Sequence, residues 1–149
     1  MIYQYRILSY SVELVIEARG HPNIKANHKS TWQLTKESEI SPRADCIIGV
    51  QSSYSCSSLP HWLKKKIRDS SKLSVSLTAG GSKFTGHFEG HPELQLSDKT
   101  DIVFRKSEFI SERTGGIHCN FSAKDLPEQM RIALQDPNVT LRVEIKVVE

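Results

Sequence analysis

The sequence predicts an α+β fold, mostly β. A strand–strand–strand–helix–strand unit is stated twice and packed as a pseudo-twofold, barrel-like mixed sheet with two short helices. Three observations lead there. The stretch Arg19-Gly20-His21-Pro22-Asn23-Ile24 returns seventy residues later as Glu89-Gly90-His91-Pro92-Glu93-Leu94. With Lys29/Lys99, Lys36/Lys106, Ile40/Ile110, Ser41/Ser111, Arg43/Arg113, Ile47/Ile117 and Ser52/Ser122, ten identities fall in thirty-three ungapped positions. Self-similarity at one offset is the mark of an internal repeat. Apolar residues also alternate with a period of two along much of the chain, and in each half a proline opens a stripe of helical period. The 149 residues therefore read as a single domain, 1–149, with repeats at about 12–79 and 82–147. Halves of that size are marginal as independent cores and are expected to share one.

Residues 1–10 have no counterpart in the second half and read as an added edge strand or arm. From Val12 onward, Leu14, Ile16 and Ala18 alternate with Glu13, Glu17 and Arg19, the pattern of a half-buried strand. Phe84, Gly86 and Phe88 hold the equivalent face in the second half. Pro22 and Pro92 break these strands, because proline lacks a donor and restrains the residue before it. Long strands are expected over 24–35, with Ala26, Trp32 and Leu34 inward, and over 94–105, with Leu96, Ile102 and Phe104 inward. A polar loop over 36–44 leads to a short buried strand over 45–52, whose twin over 117–122 follows the flexible pair Gly115-Gly116. The first half is expected to carry its three extra residues in the serine-rich linker 51–58. Pro60 then opens a helix with Leu59, Trp62, Leu63 and Ile67 on its apolar face and Lys64, Lys65 and Arg68 pointing away. Leu126, Met130, Ala133 and Leu134 repeat that stripe around Pro127. Each half closes on a strand, Leu73 to Leu77 and Val139 to Ile145, and Gly80-Gly81 joins the halves as a tight turn.

Composition narrows the class. A hydrophobic share of 38% with 25% charged residues is ordinary for a globular protein. No apolar run approaches the roughly twenty residues of a membrane span, and Met1 to Arg6 lacks the core of a secretory signal. A cytoplasmic protein without a membrane partner is therefore expected. Cys46, Cys56 and Cys119 are odd in number and outside metal-finger spacing, which fits a reducing interior. A net charge of +3 permits an anionic partner, nucleic acid or a small anionic ligand.

The repeat separates two kinds of polar residue. Those kept in both halves, such as His21 and His91 in the Gly-His-Pro turns, read first as turn hardware. Matched positions that differ are better candidates for a site present once. His28/Asp98, Thr31/Asp101 and Asp45/Gly115 are such pairs at the seventy-residue offset. His21, His28, His91 and Asp98 would make a metal set only if the Pro22 turn reorients one imidazole, since a seven-residue step does not keep one strand face. Arg43, Asp45 and Cys46 form the densest polar cluster beside a buried strand. Arg43 with Asp45 reads as a turn-fixing ion pair, and Cys46 as a small buried thiol. Alternatively, Lys36, Arg43, Lys106 and Arg113 meet near the pseudo-axis and bind phosphate or carboxylate, arginine supplying a fork and lysine a point charge. Two functional readings follow. One is a non-enzymatic binding module with an anion-binding cleft between the repeats. The other is an enzyme with an asymmetric acid–base or metal site at His28, Asp98 and Asp101. No residue pattern names a cofactor or an oligomeric state. The run Lys64-Lys65-Lys66 with Arg68 reads as a solvated helix face.

Arg19-Gly20-His21-Pro22, His28, Thr31, Thr35-Lys36 and Pro42 to Val50, with Gly90-His91-Pro92, Asp101 and Arg105-Lys106-Ser107 in the second half, resemble the archaeal family known as domain of unknown function 371. The resemblance covers nearly the whole chain from about residue 12. It implies an archaeal source and a cytoplasmic protein, and it implies no activity.

Overall fold

The computed structural model describes residues 13–148. The arm or edge strand expected over residues 1–10 lies outside them. The elements run β1 (Glu13–Arg19), β2 (Thr31–Thr35), β3 (Ile47–Gly49), α1 (His61–Arg68), β4 (Lys72–Ala79), β5 (Ser82–Glu89), β6 (Asp101–Arg105), β7 (Thr114–Gly116), α2 (Glu128–Ala133) and β8 (Thr140–Val147). A 3-10 turn at Ala123–Asp125 precedes α2. The protein is mostly β, with two short helices, as expected.

The strands form two four-stranded sheets, in the orders β1-β8-β4-β5 and β3-β2-β6-β7. The first is antiparallel throughout. The second is mixed: β2 and β6 are antiparallel to each other, and each carries a parallel neighbour, β3 and β7. The expected barrel does not close. Edge to edge, the sheets meet at two isolated bridges, Arg19 with Val50 and Glu89 with Ile117, flanked by single bonds from Ser53 N–H to Glu17 O and from Asn120 N–H to His87 O. The reason is local: Gln51 and His118, which follow the bridge residues Val50 and Ile117, have φ of +53° and +50°, and extended pairing is interrupted there.

Two elements are shorter than the hydrophobic pattern suggests. The strands expected over 24–35 and 94–105 begin only at Thr31 and Asp101. Ala26 and Leu96, although buried, have φ of +48° and +51°, which no strand accommodates. The twin strand expected at 117–122 lies earlier, at Thr114–Gly116. Gly115 and Gly116 are buried within it, because a Cβ there would come within 2.4 Å of Ile102 and 2.2 Å of Phe88. The Gly80-Gly81 turn is as expected: φ of +57° and +81° at both central residues closes the β4–β5 hairpin in the sense that matches strand twist.

The core lies between the sheets. Trp32 stacks on Phe104 at 4.1 Å and on Phe121 at 5.2 Å, and Phe88 meets Phe104 edge-on at 4.9 Å. The Trp32 indole N–H donates to Cys119 Sγ at 3.4 Å, so its polar tip is satisfied inside the core. Leu59, Leu63 and Ile67 bury one side of α1, and Leu126, Met130 and Leu134 do the same around α2. Trp62 falls just off the apolar stripe and is exposed. Among the described residues, no helix is long and apolar enough to cross a membrane.

Each Gly-His-Pro turn receives the end of a helix from the opposite half. Gly20 N–H donates to Val139 O at 3.0 Å and His21 N–H to Leu134 O at 2.9 Å, while Gly90 N–H donates to Ser71 O at 3.0 Å. A Cβ on Gly20 would lie 2.2 Å from Asp136 O, and one on Gly90 only 1.8 Å from Ile67 O. Backbone cannot yield as a side-chain tip can, so these glycines are required by contact rather than by φ. We expect Gly90→Ala to cost at least about 2 kcal/mol in urea unfolding. Gly81→Ala, with open space around it, should cost only about 1 kcal/mol for its positive φ. Equal costs would show that the helix contact does not constrain the turn.

Candidate functional site

β2 and β6 form the middle of the mixed sheet, in a register that pairs Thr31 with Arg105, Gln33 with Val103 and Thr35 with Asp101. Strand alternation sends Trp32, Leu34, Ile102 and Phe104 into the core, and Thr31, Gln33, Thr35, Asp101, Val103 and Arg105 to the other face. Loops leading into β3 and β7 bring further side chains over that face. The Cys46 thiol donates to Gln33 Oε1 at 3.1 Å. Arg113 Nη1 donates to Asp101 Oδ2 at 3.3 Å. Arg105 Nε donates to Thr114 Oγ1 at 2.9 Å and Nη2 to Ser111 Oγ at 3.4 Å. The Phe109 ring caps the guanidinium, its centroid 4.9 Å from Cζ.

The electrostatics of this face are unbalanced. Burial pushes the Cys46 thiol up, against a hydrogen bond from Thr31 and the charge of Arg113, so the sulfur is a neutral donor rather than a thiolate. The Arg105 guanidinium is held below its ordinary range, first by desolvation and then by the like charge of Arg113. Among the described residues, Arg105 donates only to neutral hydroxyls, and the one carboxylate ion-paired on this face, Asp101, is engaged by Arg113. Arg113 thus has a carboxylate partner and Arg105 has none among the described residues.

Of the residues singled out in the sequence, Cys46, Asp101 and Arg113 come together here, with Asp45 adjoining Cys46 in the chain. The others sit elsewhere. Lys36 and Lys106 follow opposite ends of the β2–β6 ladder, where their N–H groups donate to Thr100 O and Ser30 O, each at 2.9 Å. Those ends are roughly 13 Å apart at strand rise. Lys106 is ion-paired to Asp125 at 2.9 Å, and it is the first cause holding that carboxyl below its usual range. Arg43 is exposed and forms no ion pair with Asp45 among the described residues. Its backbone carbonyl accepts from Asp45 N–H in the turn.

His28 and Asp98 also stand at opposite ends of the ladder, and they do one job. His28 Nδ1 accepts from the N–H groups of Ser30 and Thr31 at 3.1 and 3.2 Å. Asp98 Oδ2 accepts from those of Thr100 and Asp101 at 3.1 and 2.7 Å. His21 and His91 each accept at Nδ1 from the backbone two residues on, Asn23 and Glu93. His21 Nε2 also faces Glu39 at 3.2 Å, in a cleft of about 390 Å³ lined by Arg19, Asn23 and Gln51. No group of three His, Cys, Asp or Glu residues among the described residues could hold a metal. On α1, Lys64 Nζ donates to Ser57 O at 2.7 Å, and Arg68 donates to Leu94 O and Gln95 O at 3.0 and 2.6 Å. The basic helix face is therefore partly a tether that holds the loop before β6.

Gln33 and Phe109 were not singled out from the sequence, and Arg105 entered only as one of the residues that carry the family resemblance. Outward alternation through Asp101, Val103 and Arg105 carried the signal for Arg105. The ungapped offset hid the rest, because it matched Arg113 with Arg43. In the structure Gln33 N–H donates to Cys46 O at 2.9 Å and Val103 N–H donates to Arg113 O at 2.8 Å. Cys46 and Arg113 each present a carbonyl to the neighbouring central strand. The loop between β2 and Cys46 is three residues longer than the one between β6 and Arg113.

If His28 is a turn acceptor, His28→Asp should stay within about 0.5 kcal/mol of the parent in urea unfolding, while His28→Ala should cost about 1 kcal/mol, the size of a lost cap. Equal losses would reject that role. His118 offers a second test. It stands between Glu89, 2.9 Å from Nδ1, and Glu108, 3.3 Å from Nε2, and the Glu89 hydrogen bond is the first cause raising its pKa. Because the folded pKa is raised, the stabilisation is complete below the ordinary histidine value of about 6.5 and is lost as pH climbs through the raised one. An NMR titration should place His118 above that value, and Glu89→Gln should lower it. A midpoint unmoved by Glu89→Gln would contradict the pairing.

The family model described as domain of unknown function (DUF371) matches residues 16–148. The uncharacterized protein MJ0206 of Methanocaldococcus jannaschii is 40% identical over 119 residues, spanning 80% of this chain and 88% of that protein. The chain belongs to the archaeal family of domain of unknown function 371.

Proposed function

We propose that the protein is a binding module that takes an anionic group, a phosphate ester above all, on the outer face of the β2–β6 seam. The observation that carries this reading is Arg105: a half-buried guanidinium, bonded among the described residues only to Thr114 and Ser111, beside a second guanidinium at Arg113. An anion placed between them would relieve their repulsion and accept from the fork of each, and charge-assisted bonds of that kind are among the stronger ones a surface can offer. Thr31, Gln33 and Cys46 supply neutral hydrogen-bonding groups beside the charge. The oxygen-rich ligand class follows from the donor set. Partners bearing such groups are nucleic acid and small phosphorylated molecules.

The reading includes an architecture. β2 comes from the first half of the chain and β6 from the second, so the site lies between two copies of one unit. What supports the duplication is hydrogen bonding that recurs in matched pairs. Lys36 N–H to Thr100 O is answered by Lys106 N–H to Ser30 O, and Gln135 Nε2 to Ile24 O by Arg68 Nε to Leu94 O.

The test is titration of ribose 5-phosphate by calorimetry at low salt. Arg105→Met and Arg113→Met should each weaken binding about tenfold, ~1.4 kcal/mol. Lys36→Met and Arg43→Met, off this face, should stay within about twofold, and affinity should fall as salt rises. Binding that is indifferent to Arg105 and Arg113, or undetectable in the parent protein, rejects the reading.

A further inference from the structure

We infer that the ligand of this face is a nucleotide, with its phosphate at Arg105 and Arg113 and its base laid on Phe109. The inference rests on the anion-binding reading above and adds the identity of the group attached to the phosphate. Phe109 is 61% exposed. It projects from a loop whose other members are Lys106, Ser107, Glu108, Ile110, Ser111, Glu112 and Arg113, mostly charged or hydroxylic. The ring adds nothing to the core, and its cation–π contact is with the Arg105 guanidinium. The loop nevertheless holds it in place: Phe109 N–H donates to Ser107 Oγ at 3.3 Å. One face of the ring is taken by the Arg105 guanidinium at 4.9 Å, and its high exposure leaves the other face to solvent. The same arginine therefore touches the aromatic platform and forms part of the cationic pair. A ligand that satisfies both must carry a flat, stackable ring a short flexible distance from an anion, which is the chemistry of a nucleoside phosphate. Stacking does not read base identity, so discrimination among bases is expected to be weak.

The experiment compares AMP with ribose 5-phosphate on the whole protein. AMP should bind about tenfold more tightly, Phe109→Ala should erase that preference, and Phe109→Trp should keep it. Equal binding of AMP and ribose 5-phosphate by the parent protein overturns the nucleotide assignment and leaves the anion site standing. Failure of both to bind overturns the anion site itself. A third arm separates the sources of the nucleotide. A hexa-adenylate without terminal phosphate that binds at least as well as AMP, and loses affinity in Phe109→Ala, assigns a single strand. Binding of AMP alone assigns a free mononucleotide.

Discussion

The antiparallel ladder between β2 and β6 is the constraint on which the rest of this molecule depends. Five residues on each strand divide their side chains between two environments with opposite requirements. Inward, Trp32, Leu34, Ile102 and Phe104 build the aromatic and aliphatic centre of the core, with the Trp32–Phe104 stack directly across the seam. Outward, Thr31, Gln33, Asp101 and Arg105 hold polar groups at fixed spacing on a rigid sheet. A one-residue slip would exchange the two sets, placing Arg105 in the core and Phe104 outside. The packing that stabilises the protein is therefore also what aims the candidate site.

Several residues with catalytic or metal-binding chemistry serve the backbone instead. A histidine that has just turned a corner offers Nδ1 at the distance of the next free N–H groups, and an aspartate offers a carboxylate oxygen at the same place. His28 and Asp98 are chemically different and structurally interchangeable in that role. Both relieve the same problem, two backbone donors left unpaired where the chain enters a central strand. His21 and His91 do likewise after the glycines that receive the helix ends. Residue type alone cannot separate such duties from catalysis, since hydrogen-bond acceptors are what both require.

Much of the fold was legible because its signals are local. Period-two alternation placed β1, β4 and β8, the prolines placed both helices, and the glycine pair placed the β4–β5 hairpin. The strands expected across 24–35 and 94–105 were overdrawn because Ala26 and Leu96 are apolar and buried while adopting positive φ, so burial is not evidence of extension there. Closure of the barrel was not legible, because it depends on how far pairing continues past Arg19 and Glu89. Of the site, Cys46, Asp101 and Arg113 were read individually, but their neighbours were not. Arg105 looked like an ordinary strand-end cation until the register set it beside Thr114 and Ser111.

The asymmetry of the outer face comes from loop length as much as from substitution. Cys46 and Arg113 precede β3 and β7 and present their carbonyls to Gln33 and Val103 in the same way. At one of these places a thiol meets Gln33, and at the other a guanidinium meets Asp101. The first-half loop reaches this place with three more residues. It lays Glu39 against His21, away from the seam, whereas the shorter loop folds Phe109 over Arg105. One side of the axis thus becomes neutral and hydrogen-bonding, while the other is charged and capped by an aromatic ring. Loop length thus makes the two sides of this face chemically different, with Gln33 and Cys46 on one and Arg105 and Phe109 on the other.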